Sequence, residues 1–392
     1  MNSFSTYCQG ESHIIVDKVC QDYALDVTRK GTSIAIVCDG HGGERYFRSD
    51  VGAKYAADVA LKQIQTLLKN SEEFSDLLEQ SSFTQVEAIT TQRSKGNLDK
   101  ETNIDKMFRQ LFKSIIAGWR NAIFEHARTN PLTDIELSTV PEKYTKIFQD
   151  CIINIDSYTQ SDIEKTYGCT LIVAVITRKF WFAFHIGDGK CISFSPDGNW
   201  MEPIPWDDNC FLNKTTSLCD SEAIDEFRYC YGNKESKPIA IFLGSDGIDD
   251  SFGEVENMVN FYVQIAKLIA TGRNGGDLAY NTLKEDLPQL SKIGSKDDMS
   301  VASIYEADAL KKIKPILLQW QIDRVNSKLR QNKAQLEALY AKRDKLEPIK
   351  DSTKQNQIEY NYAISDIEKT QKNIDVLENQ INKLNEDLTQ LM

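Results

Sequence analysis

Apolar positions along the chain follow two rhythms, and the change from one to the other outlines its elements. Thr32 to Cys38 (TSIAIVC) is a short β-branched apolar run that ends in Asp39-Gly40-His41-Gly42-Gly43. This is the pattern of a buried strand delivering a polar loop, so chemistry is expected at that strand end. From Val51 to Asn70, Ile104 to Ala127 and Tyr144 to Ile155 the apolar residues return at helical spacing, and three helices are predicted. The polar stretches between them, Ser71 to Glu101 and Arg128 to Glu142, read as loops or short surface helices. Strand patterns resume at Cys169–Ile176, Phe180–Ile186 and Cys191–Phe194, with a turn near Arg178-Lys179, and together predict an antiparallel meander. Pro196 to Lys237 looks irregular. Ile239–Leu243 then predicts a strand running into Gly244-Ser245-Asp246-Gly247, and Met299–Tyr305 a last one directly after Asp298.

Beyond residue 308 the rhythm becomes that of a helix seam. Ile374, Leu377, Ile381, Leu384, Leu388 and Leu391 alternate steps of three and four, and Ile322, Val325, Leu329, Leu336, Leu339 and Leu346 follow the same seam upstream in steps of three, four and seven. Pro348 cannot continue a helix interior, so two antiparallel helices joined near Glu347 to Lys354 are predicted. The chain is thus expected to divide into a domain over 1–308 and a coiled-coil hairpin over 309–392. The hairpin either recruits a protein partner or pairs two copies, or its seams simply bury each other.

Composition narrows the function classes. The 392 residues are 41% hydrophobic and 27% charged, ordinary for a folded protein. Acidic residues outnumber basic ones 58 to 46, a net charge of −12, which leaves no basic field for nucleic acid. Nine cysteines show no Cys-x-x-Cys pair or zinc-like spacing and read as reduced, buried apolar residues. Without a signal-like start or a long apolar run, no membrane is expected and the location is expected to be cytoplasmic.

Three acidic motifs stand out: Gln21-Asp22, Asp39-Gly40-His41-Gly42-Gly43 and Ser245-Asp246-Gly247. Asp297-Asp298 joins them before the last strand. Carboxylates at rigid strand ends suit hard divalent cations, and the glycines let backbone carbonyls approach. Taken singly, each Asp-Gly is an ordinary turn. Gly187-Asp188-Gly189 reads as a hairpin turn, and Cys38, Cys169 and Cys191 as core.

Taken in order, however, SHIIVDKVCQDYAL (12–25), VCDGHGG (37–43), YGCTLIVAVI (167–176), HIGDGK (185–190), LGSDGIDD (243–250) and GSKDDMSVASI (294–304) resemble the metal-dependent protein phosphatases, the PPM or type 2C family. The Cys-Gln-Asp start looks closer to its bacterial branch. The resemblance implies an α+β fold, a sandwich of two antiparallel sheets flanked by helices. It also implies two Mg2+ or Mn2+ ions in a cleft and phosphorylated serine or threonine residues of proteins as substrate. Carried over, Asp39 bridges both metals, the Gly40 carbonyl binds one, Asp22 acts directly or through water, Asp246 and Asp297 complete the shell, and His41 is the general acid.

Two departures qualify it. Where many members carry a phosphate-gripping arginine this chain has Val16, Asp17 and Lys18, so Lys18 is the candidate substitute, a point charge without the bidentate fork. Lys165, Glu164 and Asp162 precede the Gly-x-Thr motif in a way that gives little support for a third metal. Part of residues 71–142 reads as an inserted helical segment, and residues 197–237 fall at the family's variable flap. The competing reading is a catalytically weak regulatory module acting through its coiled coil.

Overall fold

The computed structural model describes residues 1–96, 100–153, 161–207, 209–210 and 215–391. Asn154 and Ile155, expected to end a helix, lie outside them. The chain forms two compact units, Met1–Lys311 and Lys312–Met392.

The described strands of the first unit are β1 (Asn2–Cys8), β2 (Tyr23–Arg29), β3 (Thr32–Cys38), β4 (Thr84–Val86), β5 (Leu171–Ile176), β6 (Phe180–Ile186), β7 (Lys190–Phe194), β8 (Trp200–Met201), β9 (Arg228–Asn233), β10 (Ala240–Gly244) and β11 (Met299–Tyr305). They make two antiparallel sheets, ordered β1-β11-β10-β7-β8 and β2-β3-β5-β6-β9-β4. Because side chains alternate across a strand, β3 divides its apolar residues between two layers. Ile34, Ile36 and Cys38 enter the core under the helices. Ala35 and Val37 meet Ala302, Ile304, Ile241 and Leu243 between the sheets.

Helices close both outer faces. Ser49–Asn70 and Asn103–Thr129 bury Ala53, Ala57, Phe108, Phe112 and Trp119 against the six-stranded sheet. Each such aromatic contributes about 1.5–3 kcal/mol by leaving water. On the other face, Val255–Ile269 lays Tyr262 on Phe242 of β10 with ring centroids 5.6 Å apart. Gly275–Ile293 brings Tyr280 to Phe4 of β1.

The expected meander is corrected. β5 and β6 do pair, Leu171 opposite Ile186, but β7 pairs with β10 in the other sheet, Lys190 opposite Gly244. Gly187-Asp188-Gly189 is therefore not a hairpin turn but the crossing between sheets. Gly187 has φ +127, and a Cβ there would meet Thr170. A Cβ at Gly189 would stand 2.6 Å from the carbonyl oxygen of Gly244. The stretch expected to be irregular, Pro196 to Lys237, contains β8, the short helix Ala223–Glu226 and β9, an interior strand. Within the polar stretches lie the short helices Glu72–Gln80, Ile89–Lys95 and Asp134–Thr139, and also β4, which extends the six-stranded sheet.

In the second unit most of the helix Ala307–Leu346 folds back on Lys354–Thr389 through a 3-10 turn, Glu347–Ile349, that holds Pro348 in its first turn. Thr353 caps the returning helix, its hydroxyl accepting from the Asn356 amide at 3.1 Å. Ile322 and Val325 meet Leu384, while Leu336 meets Ile367 and Ile374, so the helices run antiparallel. Lys333 and Glu378 join them at 2.7 Å. Leu391 is exposed and contributes nothing to the seam.

Candidate metal centre

Antiparallel pairing brings distant acidic loops to one end of the sandwich. Tyr23 lies opposite Cys38, so Asp22 before β2 and Asp39 after β3 emerge side by side. Gly244 lies opposite Val301 and Lys190, so Asp246, the 297–298 pair and Asp188 emerge at the same end.

There the carboxylate oxygens of Asp39, Asp188 and Asp246 lie within 4.8 Å of one another. Burial, followed by the neighbouring carboxylates, holds the Asp39 carboxyl well above its ordinary range and pushes Asp246 up to about 7. The nearness of Asp39 and Asp246 adds to this, because each carboxylate disfavours a second charge beside it. Asp188 is raised too, chiefly by burial, although the Thr215 hydroxyl favours its charged form. Three carboxyls this close cannot all ionise without a compensating cation. The donor set is all oxygen, which suits a hard divalent ion. The residues therefore fit the implied metal.

Asp22 stands behind this trio, 4% exposed, accepting from the Ser300 hydroxyl at 2.7 Å. Burial raises its carboxyl, and the Asp298 and Asp246 charges add to that. Asp297 is exposed at the rim. Its carboxylate groups with His13 and Asp298, and its charge reaches Asp246. Asp298 has a different duty. It accepts from the Gly10 and Gln21 amides at 2.6 Å and pairs with His13 at 2.9 Å, tying the N-terminal segment to β11. These bonds to the charged form outweigh burial and hold its carboxyl below the usual range.

Gly40 bridges to Cys169, and a side chain there would strike the carbonyl oxygens of Gln21 and Ser49 at 2.5 and 2.9 Å. His41 is fixed at both ends: its amide donates to Gly168, and Nε2 lies 2.7 Å from the Ser217 hydroxyl. Burial pushes its imidazole down to about 4. Lys18 donates to the Gly42 carbonyl at 2.7 Å, so it does border the glycine loop. Burial lowers its ammonium, against the pull of Asp298, Asp297 and Asp50. Asp162 and Glu164 pair with Arg45 and Arg120 at 2.7 and 2.9 Å.

The sequence pattern of protein phosphatase 2C matches residues 9–287. The chain belongs to the protein phosphatase 2C family. No curated protein sequence matches it. Similar solved structures include a bacterial serine phosphatase, 13% identical with a TM-score of 0.42, covering 77% of this chain and 96% of that one. Stp1, a serine/threonine phosphatase from Staphylococcus aureus, is 12% identical with a TM-score of 0.41, at 78% and 95% coverage. The catalytic domain of the serine/threonine protein phosphatase PstP, in complex with two manganese ions, is 14% identical with a TM-score of 0.42, at 77% and 96% coverage.

Two features of this phosphatase 2C domain escape sequence reasoning. Asp188 sits in a Gly-Asp-Gly that spacing alone cannot distinguish from a hairpin. The crossing turn that carries it is held from behind: Gly187 donates to Thr216 and its carbonyl accepts from Arg228, while Asp207 takes both Thr216 and Arg228, at 2.9 and 3.1 Å. Arg228 and Asp207 are 1% and 0% exposed, and the one available signal is an arginine opening the short run Arg228–Asn233.

Proposed function

We propose that the chain is a metal-dependent phosphatase that hydrolyses phosphoserine and phosphothreonine in proteins. The observation that carries this reading is the half-buried trio Asp39, Asp188 and Asp246, three carboxyls within 4.8 Å that desolvation and mutual repulsion hold toward their protonated forms. A site that disfavours its own charge in this way is relieved by divalent cations. Two Mg2+ or Mn2+ ions are assigned to it, held by Asp39, Asp246, Asp188 and the Gly40 carbonyl, with Asp22 and Asp297 on either side.

Bound there, the ions supply Lewis-acid chemistry: activation of water for attack on phosphorus and neutralisation of the phosphoryl charge. The protein residues prepare the rest. Ser300 and Ser245 orient Asp22, and Gly40 lets the loop pack against the Gln21 and Ser49 carbonyls, where any side chain would clash. Lys18 offers a cation beside the glycine loop to a dianionic phosphate. His41, held by Ser217, faces the departing serine or threonine oxygen as proton donor. Its low affinity for a proton rises when a phosphate anion lies alongside, because nearby negative charge favours the imidazolium.

The test is release of phosphate from a phosphoserine peptide after chelation, followed by return of Mn2+ or Mg2+. Turnover that requires the ion is expected. A well-folded protein that releases no phosphate with either ion overturns the reading.

A further inference from the structure

A cavity lies away from the metal centre. It holds about 760 Å3 at the β4–β9 edge of the six-stranded sheet, closed by the helices Ile89–Lys95, Asn103–Thr129 and Ala223–Glu226. None of its lining residues is a carboxylate of the metal centre. That volume lies within the range of small-molecule sites, about 300–1,000 Å3.

Its wall is aromatic. Phe112 and Phe227 stack with centroids 4.2 Å apart and planes inclined by 8°, and Tyr229 and Tyr231 continue the surface along β9. These rings are 2–6% exposed, so each meets the cavity with a small part of its surface, which an apolar body can contact edge on. The charged groups around it are unequally committed. Asp105 accepts from the Tyr229 hydroxyl at 2.6 Å and from the Thr102 amide at 2.7 Å, and Glu87 pairs with Lys95 at 2.9 Å. Glu101 and Lys100, both exposed, offset each other. Arg93 and Arg109 both pair with one carboxylate, Asp225, at 2.9 and 2.8 Å. Two guanidiniums on one carboxylate leave several N–H donors unspent at the cavity, although the Asp105 carboxylate balances their surplus charge.

We propose that this cavity binds a small organic anion: a planar apolar body against Phe227 and Tyr229, with a carboxylate, sulfonate or phosphate on Arg93 and Arg109. The site is independent of phosphate hydrolysis and of the function proposed above.

Anilinonaphthalene sulfonate, an aromatic anion whose fluorescence rises on leaving water, is the probe, with neutral phenylnaphthylamine beside it. On the full-length native protein the sulfonate is expected to saturate at one site per chain. Arg109→Met weakens it about tenfold, as for loss of one charge-assisted hydrogen bond, and Arg109→Lys restores part of that loss. The neutral dye changes little in either. Ile89→Trp, which fills the cavity, removes both dyes. Gln92→Trp does the same from the half-exposed side of that helix where Ile89→Trp lowers the melting temperature. Hydrolysis of p-nitrophenyl phosphate should stay at the parent rate in all four. Fluorescence that never saturates, or a saturable site indifferent to Arg109 and to both tryptophans, overturns the proposal. Equal weakening of the two dyes by Arg109→Met overturns the anion preference on which it depends.

Discussion

Burial, with the neighbouring carboxylates, raises both Asp39 and Asp246 above the ordinary carboxylate range. For each, the folded carboxyl binds its proton more tightly than the unfolded one. The resulting stability is therefore full below the ordinary value of 3.8 and is lost as pH rises through the folded value, about 7 for Asp246. Asp298 works in the opposite sense, being depressed, and its contribution disappears only when pH falls below the ordinary carboxylate range. In chelator the melting temperature should thus fall between about pH 4 and about pH 7, and Mn2+ should abolish most of that slope. Melting curves with equal slopes in both conditions would count against a metal at these carboxylates. Asp39→Ala removes the carboxylate proposed to bridge the metals, and turnover with Mn2+ should drop about 100-fold or more, as when one charge-stabilising group is lost at a reacting centre. Near-normal turnover would remove Asp39 from the site. Asp39, Asp246 and Asp22 were legible because a glycine or glutamine beside a strand end marks each of them. Asp188 was not, because Gly-Asp-Gly serves a hairpin equally well, and only the sheet in which β7 pairs separates the two.

At the scale of elements, the periodicity of β3, β5, β6, β10 and β11 was readable because each is apolar on both faces, buried between helices and a second sheet. β1 (NSFSTYC) and β9 (RYCYGN) were not, since polar residues interrupt them and their partners are remote in sequence. The reason β9 tolerates Arg228 is the ion pair with Asp207, buried so completely that either group alone is an uncompensated charge. Asp207→Ala should therefore cost about 3–5 kcal/mol, measured by urea unfolding. It should also loosen the Gly187 turn and weaken Mn2+ binding, which titration calorimetry would register. A stability loss with unchanged Mn2+ affinity would mean that Asp188 is positioned by something else. Gly247→Ala tests the same end of the sandwich differently. Its Cβ would stand 2.1 Å from the Asp298 carbonyl oxygen, so the turn carrying Asp246 must move and activity should fall more than stability.

For the whole molecule, the division of labour between its two units makes the last prediction. Both sheets, all the carboxylates of the metal centre, His41 and Lys18 lie within Met1–Lys311. The region matched by the phosphatase 2C pattern also ends inside it, at residue 287. The second unit holds its own apolar clusters, Ile322, Val325 and Leu384 in one, Leu336, Ile367 and Ile374 in the other. Its helices were legible because a three-four spacing broken at Pro348 suffices to specify a pair that folds back on itself, without any long-range pairing to infer. A unit with its own core is expected to fold on its own terms. A chain ended after Lys311 should therefore keep metal-dependent hydrolysis of p-nitrophenyl phosphate within a few-fold of the full chain, with its pH-dependent melting intact in chelator. If that shortened chain folds, judged by circular dichroism and a cooperative melt, yet neither binds Mn2+ nor turns over, the hairpin takes part in catalysis. The site would then have to be rebuilt to include residues beyond Lys311, and the carboxylate trio could no longer be treated as sufficient.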